Sequence, residues 1–153
     1  MEINKYCAII GETPEELSFG YDEDYLTCVE MKRDLLMAMV KQIEQGVTGF
    51  LTAVEQGAEM WCAEACLAMK SKGGQIELIC APTCEEQANR WHPERRERYF
   101  TILEQADDVC EGGDEYILSN AAVLLVLGHP AGTRAARLID AARKRGLTLC
   151  QVS

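Results

Sequence analysis

Residues Ala121–Leu127 read Ala-Ala-Val-Leu-Leu-Val-Leu, seven apolar residues with no polar one among them. A strand with one face in water alternates polar and apolar residues; a run without alternation has to be covered on both faces. Strands of that kind belong to parallel sheets, where each return to the starting edge needs a crossover, usually a helix. This run is the most apolar in the chain and is expected at the centre of such a sheet.

The remaining segments supply the other strands and the crossovers. Residues 3–10 read as a first strand, stopped by Gly11 and Pro14. Over 23–44, Leu26, Val29, Leu36, Val40 and Ile43 keep a helical period until Gly46. A second strand is expected over 47–54, a helix over 57–72, and a third strand over 75–81. A helix then starts at Pro93, a residue suited to a first helical turn, with Tyr99, Ile102, Leu103 and Ala106 as its buried stripe. Val109 and Cys110 make a short strand, followed by the polar Glu111-Gly112-Gly113-Asp114. A last helix over 132–145 leads to a strand over 147–152. The expectation is an α/β chain: a Rossmann-like three-layer α/β/α sandwich, with a mostly parallel sheet of five to six strands in one domain spanning residues 1–153.

The formal net charge of −10 argues against a general nucleic-acid binder, which needs a basic face to displace counterions. Arg134, Arg137, Arg143, Lys144 and Arg145 do cluster near the C-terminus, but the last three suit a helix C-terminus. No segment is long and apolar enough to span a bilayer, and the N-terminus lacks a signal-peptide core, so a cytoplasmic chain with reduced thiols is expected. Of eight cysteines, Cys7, Cys80, Cys110 and Cys150 lie in apolar runs. Cys62 and Cys66, like Cys80 and Cys84, are not at zinc-knuckle spacing, and no metal is expected.

Ligands of such folds bind beyond the C-terminal strand ends. The segments to weigh are therefore 11–14, 55–59, 82–91 and 128–133. Gly128-His129-Pro130-Ala131-Gly132-Thr133 is a turn opening a helix, able to offer backbone N–H groups to an anion, or equally to be an ordinary capped turn. It is neither a Walker A loop nor a Gly-x-Gly-x-x-Gly fingerprint. His129 and His92 are acid/base candidates by residue type, yet His129 has no carboxylate nearby in sequence and His92 sits beside a helix start, so each equally suits a solvated loop or capping role. Glu59 or Glu64, near a strand end, could hold a ribose hydroxyl or stay solvated on its helix. Gln87 offers donor and acceptor, and four residues on Trp91 offers a stacking face or a slab for the core.

Gln87-x-x-x-Trp91 with Arg98-Tyr99 and Ile102-Leu103-x-x-Ala106-Asp107 resembles the DUF1273 (YpsA-like) group of the SLOG superfamily. Phe19-Gly20-Tyr21-Asp22-Glu23-Asp24, Trp61-x-Ala63-Glu64-Ala65 and the Gly132-Thr133 turn match in the same order. The resemblance implies a Rossmann-like fold binding a nucleotide-related ligand, for instance one derived from NAD or ADP-ribose. Related groups include phosphoribohydrolases and the DNA-processing protein DprA. Two motifs depart from the family: its Gly-His-Arg-Pro is Gly11-Glu12-Thr13-Pro14 here, and its Ser-Gly-x-Ala-x-Gly-x-Asp is residues 52–59, keeping only Gly57 and an acid at Glu59. The segment between Cys110 and Ala121 is short, without the family's Arg-Asn pair. The phosphoribohydrolase turn, Pro-Gly-Gly-x-Gly-Thr followed by Glu, is absent, because Arg134-Ala135-Ala136 follows Thr133.

Groups that would contact phosphate are thus missing or replaced by acids, which shifts the expectation from catalysis to binding. The expected ligand-binding residues are Gly11, Gly57, Glu59, Gln87, Trp91, Gly132 and Thr133. Backbone N–H groups near Gly132 would hold an anionic group, Trp91 would stack or gate, and Glu59 would take a ribose hydroxyl. The expected partner is a small nucleotide-like ligand, with a homodimer as a further possibility. A nucleoside-phosphate hydrolase using Glu59 or Glu64, and a ligand-free interaction protein with an exposed apolar helix face, are the alternatives.

Overall fold

The computed structural model describes residues 4–152. Along the chain it runs β1 (Tyr6–Gly11), α1 (Leu26–Glu44), β2 (Gly49–Thr52), α2 (Ala58–Ser71), β3 (Glu77–Cys80) and α3 (Pro93–Gln105). It continues through β4 (Asp108–Val109), α4 (Gly113–Asn120), β5 (Ala121–Leu127), α5 (Thr133–Lys144) and β6 (Thr148–Val152). The six strands form one sheet in the order β4-β3-β2-β1-β5-β6, every pairing parallel. This is the Rossmann-like sandwich expected from the alternating pattern.

Alternate residues of each strand feed opposite layers, as the period of two requires. Cys7, Ile9, Phe50, Leu78, Val123 and Leu125 join the core beneath α1, α2 and α3. Ala8, Ile10, Leu51, Ile79, Leu124 and Val126 join the core beneath α4 and α5. The run Ala121–Leu127 is interior, between β1 and β6, but the middle of the sheet is β2 and β1. Five residues of β5, Val123 to Leu127, are buried.

Several boundaries differ from expectation. Strand β2 occupies only Gly49–Thr52 and β3 only Glu77–Cys80, although single backbone bonds just beyond them, such as Ala81 N–H to the Thr52 carbonyl at 2.8 Å, continue the pairing. The short β4 covers Asp108–Val109 rather than Val109 and Cys110. The expected first strand began at Ile3, which lies outside the described residues. Gly113–Asn120 is a helix that polar composition concealed: Gly112, left-handed at φ 107°, starts it, and Gly113, Ile117 and Leu118 are its buried residues. In α1, Cys28, Leu35, Met39 and Gln42 face the core, while Leu26, Val29, Leu36 and Val40 face outward. Both faces of α1 carry apolar residues at helical spacing, so periodicity alone could not choose between them.

Gly11 ends β1 where α2 begins. A Cβ there would lie 2.5 Å from Ala58 Cβ, so glycine is what lets the N-terminus of α2 approach the strand. Among the described residues no helix is long and apolar enough to cross a membrane.

Candidate functional site

Strand order reverses between β1 and β5, so the loops after these strands bound the crevice where ligands of doubly wound sheets bind. Here the chain's own carboxylates enter it. Glu12 Oε1 accepts from the His129 backbone N–H at 2.9 Å, and Glu16 Oε2 accepts from Ala131 N–H at 2.7 Å. The Thr13 N–H and hydroxyl, at 3.2 and 3.1 Å from Glu16 Oε1, orient the second carboxylate. The Ala131 amide is the main cause that holds the Glu16 carboxyl below its ordinary range. The His129 and Ala131 N–H groups of this turn are therefore already donating to acids. Gly132 caps α5 without a side-chain cap bond, and Thr133 is exposed in its first turn.

Beside this crevice the first turns of α2, α4 and α5 converge on Arg134. Its guanidinium meets Glu59 at 2.7 and 2.8 Å and Asp114 at 3.0 and 2.8 Å, two bidentate pairs on one planar group. Glu59 is 4% exposed. Burial opposes the Arg134 charge, but the two carboxylates outweigh it and raise its pKa. Next to them, burial lifts the Glu55 carboxyl above its usual range and the Glu59 charge adds to the effect, with Arg134 and the Thr83 hydroxyl pulling the other way. Between β2 and α2, Val54 sits at φ 58°, a conformation that costs a β-branched residue on the order of 1–3 kcal/mol. A bond from its N–H to Thr52 Oγ1 (3.0 Å) helps to hold it there.

Gln87 ties the loop after β3 to the loop after β2. Its Nε2 donates to the Ala53 carbonyl at 2.8 Å, and its Oε1 accepts from Thr83 N–H at 2.8 Å. Thr83 Oγ1 lies 2.9 Å from the same oxygen and 3.2 Å from Glu55 Oε1, one hydroxyl shared between two acceptors.

A cleft of about 680 Å³ opens a short way along the same edge, with Tyr21, Gln56, Arg90, Trp91 and Arg95 among its walls. Trp91 stands edge-on to Tyr99, ring centroids 5.3 Å apart, which anchors it on the core while it lines the cleft. Tyr21 is fixed through its hydroxyl to Glu15 (2.8 Å) and by Arg95, whose guanidinium lies 5.1 Å from the ring centroid. Arg95 also pairs with Glu23 at 2.6 Å, and Arg98 bridges Glu23 (2.8 Å) to Glu64 (2.6 Å). Burial would raise the Glu23 carboxyl, but Arg98 and Lys32 overcome it and bring it down to about 2. Among the described residues Gln56 Oε1 is buried without a hydrogen-bond partner. Among the described residues Arg90 forms no hydrogen bond or ion pair through its side chain.

A profile of the YspA SLOG family matches residues 7–117. The chain belongs to that family. Similar proteins carry the name UPF0398 protein: one from Halalkalibacterium halodurans is 29% identical over 137 residues, 80% of this chain and 71% of the relative. One from Bacillus cereus is 26% identical over 157 residues, 93% of this chain and 84% of the relative. A third, from Bacillus pumilus, is 32% identical over 106 residues, covering 69% and 56% of the two chains.

The SLOG match takes in the Tyr21–Trp91 cleft, Glu59 and Asp114, and stops before the 128–133 turn and Arg134. The seven expected site residues share the C-terminal edge but not one pocket. Gly132 and Thr133 lie at the β1–β5 crevice, and Glu59 lies within the Arg134 cluster. Gly57, at φ 98°, caps α2 beside the Glu12 carbonyl, and Gly11 is in van der Waals reach of α2. Gln87 braces two loops; only Trp91 lines the cleft. Glu64 pairs with Arg98, and His92 caps α3 by accepting from Glu94 N–H at 3.3 Å. Sequence reasoning missed Gln56, Arg90, Arg95, Arg134 and Asp114 as site residues. Tyr21 and Arg98 did stand inside motifs that matched the SLOG group. All eight cysteines are free, and burial pushes the Cys7, Cys66 and Cys80 thiols up to about 12.

Proposed function

We propose that this SLOG protein binds a small nucleotide-related ligand without transforming it, with a planar heterocycle seated in the Tyr21–Trp91 cleft. The observation that carries the proposal is the buried, unpartnered Gln56 Oε1 in a cleft walled by two aromatic rings. An unsatisfied buried acceptor costs stability, and an exocyclic amine or ring N–H of a base would satisfy it. Trp91 offers a rigid face for stacking, and Arg90 is free to meet a phosphate at the cleft mouth. Family membership points the same way, toward nucleotide-related ligands, with compounds of the NAD or ADP-ribose type first in line.

The test is thermal unfolding with a panel of bases, nucleosides, nucleotides, ADP-ribose and NAD. A true ligand at 100 times its Kd stabilises by about 2.7 kcal/mol. That gain disappears in Trp91→Ala and shrinks in Gln56→Leu. A panel that leaves the midpoint unmoved sinks the proposal.

A hydrolase of nucleoside phosphates is the second reading, favoured by one observation: Glu55, whose carboxyl is raised by burial, stands beside the ionic Glu59–Arg134 pair. A carboxyl whose hold on its proton is strengthened by burial, next to a fixed carboxylate, is the kind of pairing general acid catalysis draws on. Release of free base from nucleoside monophosphates, lost in Glu55→Gln, would support it. No base release from any of them leaves binding alone.

A further inference from the structure

Side-chain bonds tether the turn between β2 and α2 at three successive residues. The Val54 N–H donates to Thr52 Oγ1 at 3.0 Å, the Ala53 carbonyl accepts from Gln87 Nε2 at 2.8 Å, and Glu55 Oε1 stands 3.2 Å from Thr83 Oγ1. Val54, in the middle, sits at φ 58°, a strained conformation that persists only where its surroundings over-determine it. Directly after Glu55 comes Gln56, whose Oε1 is the buried acceptor of the Tyr21–Trp91 cleft. The tether at Glu55 is the one a proton can change.

The Thr83 hydroxyl has one hydrogen for two acceptors, Gln87 Oε1 at 2.9 Å and Glu55 Oε1 at 3.2 Å. An ionised Glu55 can only accept, so it either draws that hydrogen away from Gln87 or goes without it. A protonated Glu55 donates to Thr83 Oγ1, and the hydroxyl hydrogen then goes to Gln87, the shorter of the two contacts. We infer that a proton on Glu55 latches the β2–α2 turn to the loop after β3, through Thr83 and Gln87, and so fixes where Gln56 stands in the cleft. Glu55 and Thr83 are thus positioning residues, and the inference rests on the binding reading only for what the turn presents to a ligand. Burial is the largest influence on Glu55 and raises its carboxyl above the ordinary 4.5; Glu59 on α2 and Asp114 on α4 push the same way, while Arg134 on α5 and the Thr83 hydroxyl oppose them. Tyr99 on α3 also faces the Glu55 charge, but burial pushes its hydroxyl up to about 12, so it stays neutral. With a raised value in the folded chain, the latch is fully closed below 4.5 and is lost as pH rises through the folded value.

Amide hydrogen exchange on the unliganded full-length protein tests this from about pH 4 to about pH 8, a range that brackets a raised carboxyl. Protection factors, which remove the intrinsic pH dependence, are expected to fall roughly three- to tenfold at the Thr83 and Val54 amides as pH rises, the span of one hydrogen bond. The Glu55 carboxyl, followed by carbon NMR, should titrate with the same midpoint, and the Gln56 side-chain amide should shift with it. Glu55→Gln, whose Nε2 donates to Thr83 Oγ1 at every pH, should keep the low-pH protection throughout. Thr83 is exposed, so Thr83→Val leaves the core intact and should show the weaker protection throughout. Thr83→Ser, which restores the hydroxyl, should recover the step. Protection that is flat with pH in the wild type overturns the inference. So does a step that survives Glu55→Gln, which would assign it to another group such as His92 or His129, or a Glu55 carboxyl that titrates at or below 4.5. No ligand is present in these measurements, so their failure leaves the binding proposal standing, and a thermal panel without a hit leaves the latch standing.

Discussion

Two stretches of one sheet edge share the same backbone machinery and treat it differently. At the β1–β5 crevice, glycine-containing loops open helices and present N–H groups, the usual makings of an anion site. Glu12 and Glu16 already accept from those groups, and Arg134 is held by Glu59 and Asp114 in four short bonds. In the Tyr21–Trp91 cleft the backbone offers less, yet side chains are left open: Gln56 Oε1 without a donor and Arg90 without an acid. A turn amide leading into a helix thus marks a site only when no carboxylate of the chain answers it. In this chain the position best supplied with donors is the one best supplied with internal acceptors.

The largest test of the comparison removes the cation from the closed region. Arg134→Met leaves Glu59, 4% exposed, and Asp114 without a counter-charge. Breaking a buried pair from one side costs about 3–5 kcal/mol; with Arg134 one third exposed, about 2–3 kcal/mol is expected. Urea unfolding at pH 7 measures it. A loss under 0.5 kcal/mol would mean that the closed region is not held shut by these ion pairs.

The second test concerns the support of the open region. Glu23 gathers Lys32, Arg95 and Arg98, and through Arg95 it fixes Tyr21. Its carboxyl lies near 2 in the folded chain against an ordinary 4.5, so the folded state binds fewer protons between those values. The stabilisation is therefore fully present above about pH 5 and is lost as pH falls through about 2. Its size is at most about 3 kcal/mol, on 1.36 kcal/mol per unit. Glu23→Gln should be less stable than wild type at pH 7 and converge with it near pH 2. If the difference between the two did not change with pH, Glu23 would not be the group that charges hold in place.

How much of this the sequence made legible follows from the range of each interaction. Strand and helix order came from local periodicity, and the parallel sandwich followed from runs such as Ala121–Leu127. Helix α4 escaped because Gly113-Asp114-Glu115 looks like a loop until Ile117 and Leu118 are seen to meet the core. On α1, two apolar stripes competed, and only the sheet beneath could decide which one was inside. Trp91 was legible as an aromatic beside a strand end. The Arg134–Glu59 contact was not, because it joins residues 75 positions apart whose meeting depends on how α2 and α5 flank the sheet. Glu12 was legible as a loss of positive charge; that its carboxylate reaches the His129 amide was visible only in three dimensions.

The smallest expected effect gives the sharpest form of the comparison. Glu16 is exposed, and its bonds to Ala131 and Thr13 are within reach of water, so Glu16→Ala should change stability by no more than about 0.5 kcal/mol. What it changes is occupancy: the Ala131 N–H loses its acceptor, and the negative charge that repels an incoming anion is gone. Paired with Glu12→Ala, it turns the crevice into a helix-terminus site of the ordinary kind. Phosphate or sulfate in the millimolar range should then raise the thermal midpoint of the double variant and leave wild type unmoved. The amide resonances of His129 and Ala131 should shift on titration only in the variant. If wild-type protein takes up phosphate at these amides as readily, the carboxylates are displaceable lids rather than resident acceptors. The two regions would then be halves of one ligand site, heterocycle in the cleft and phosphate in the crevice.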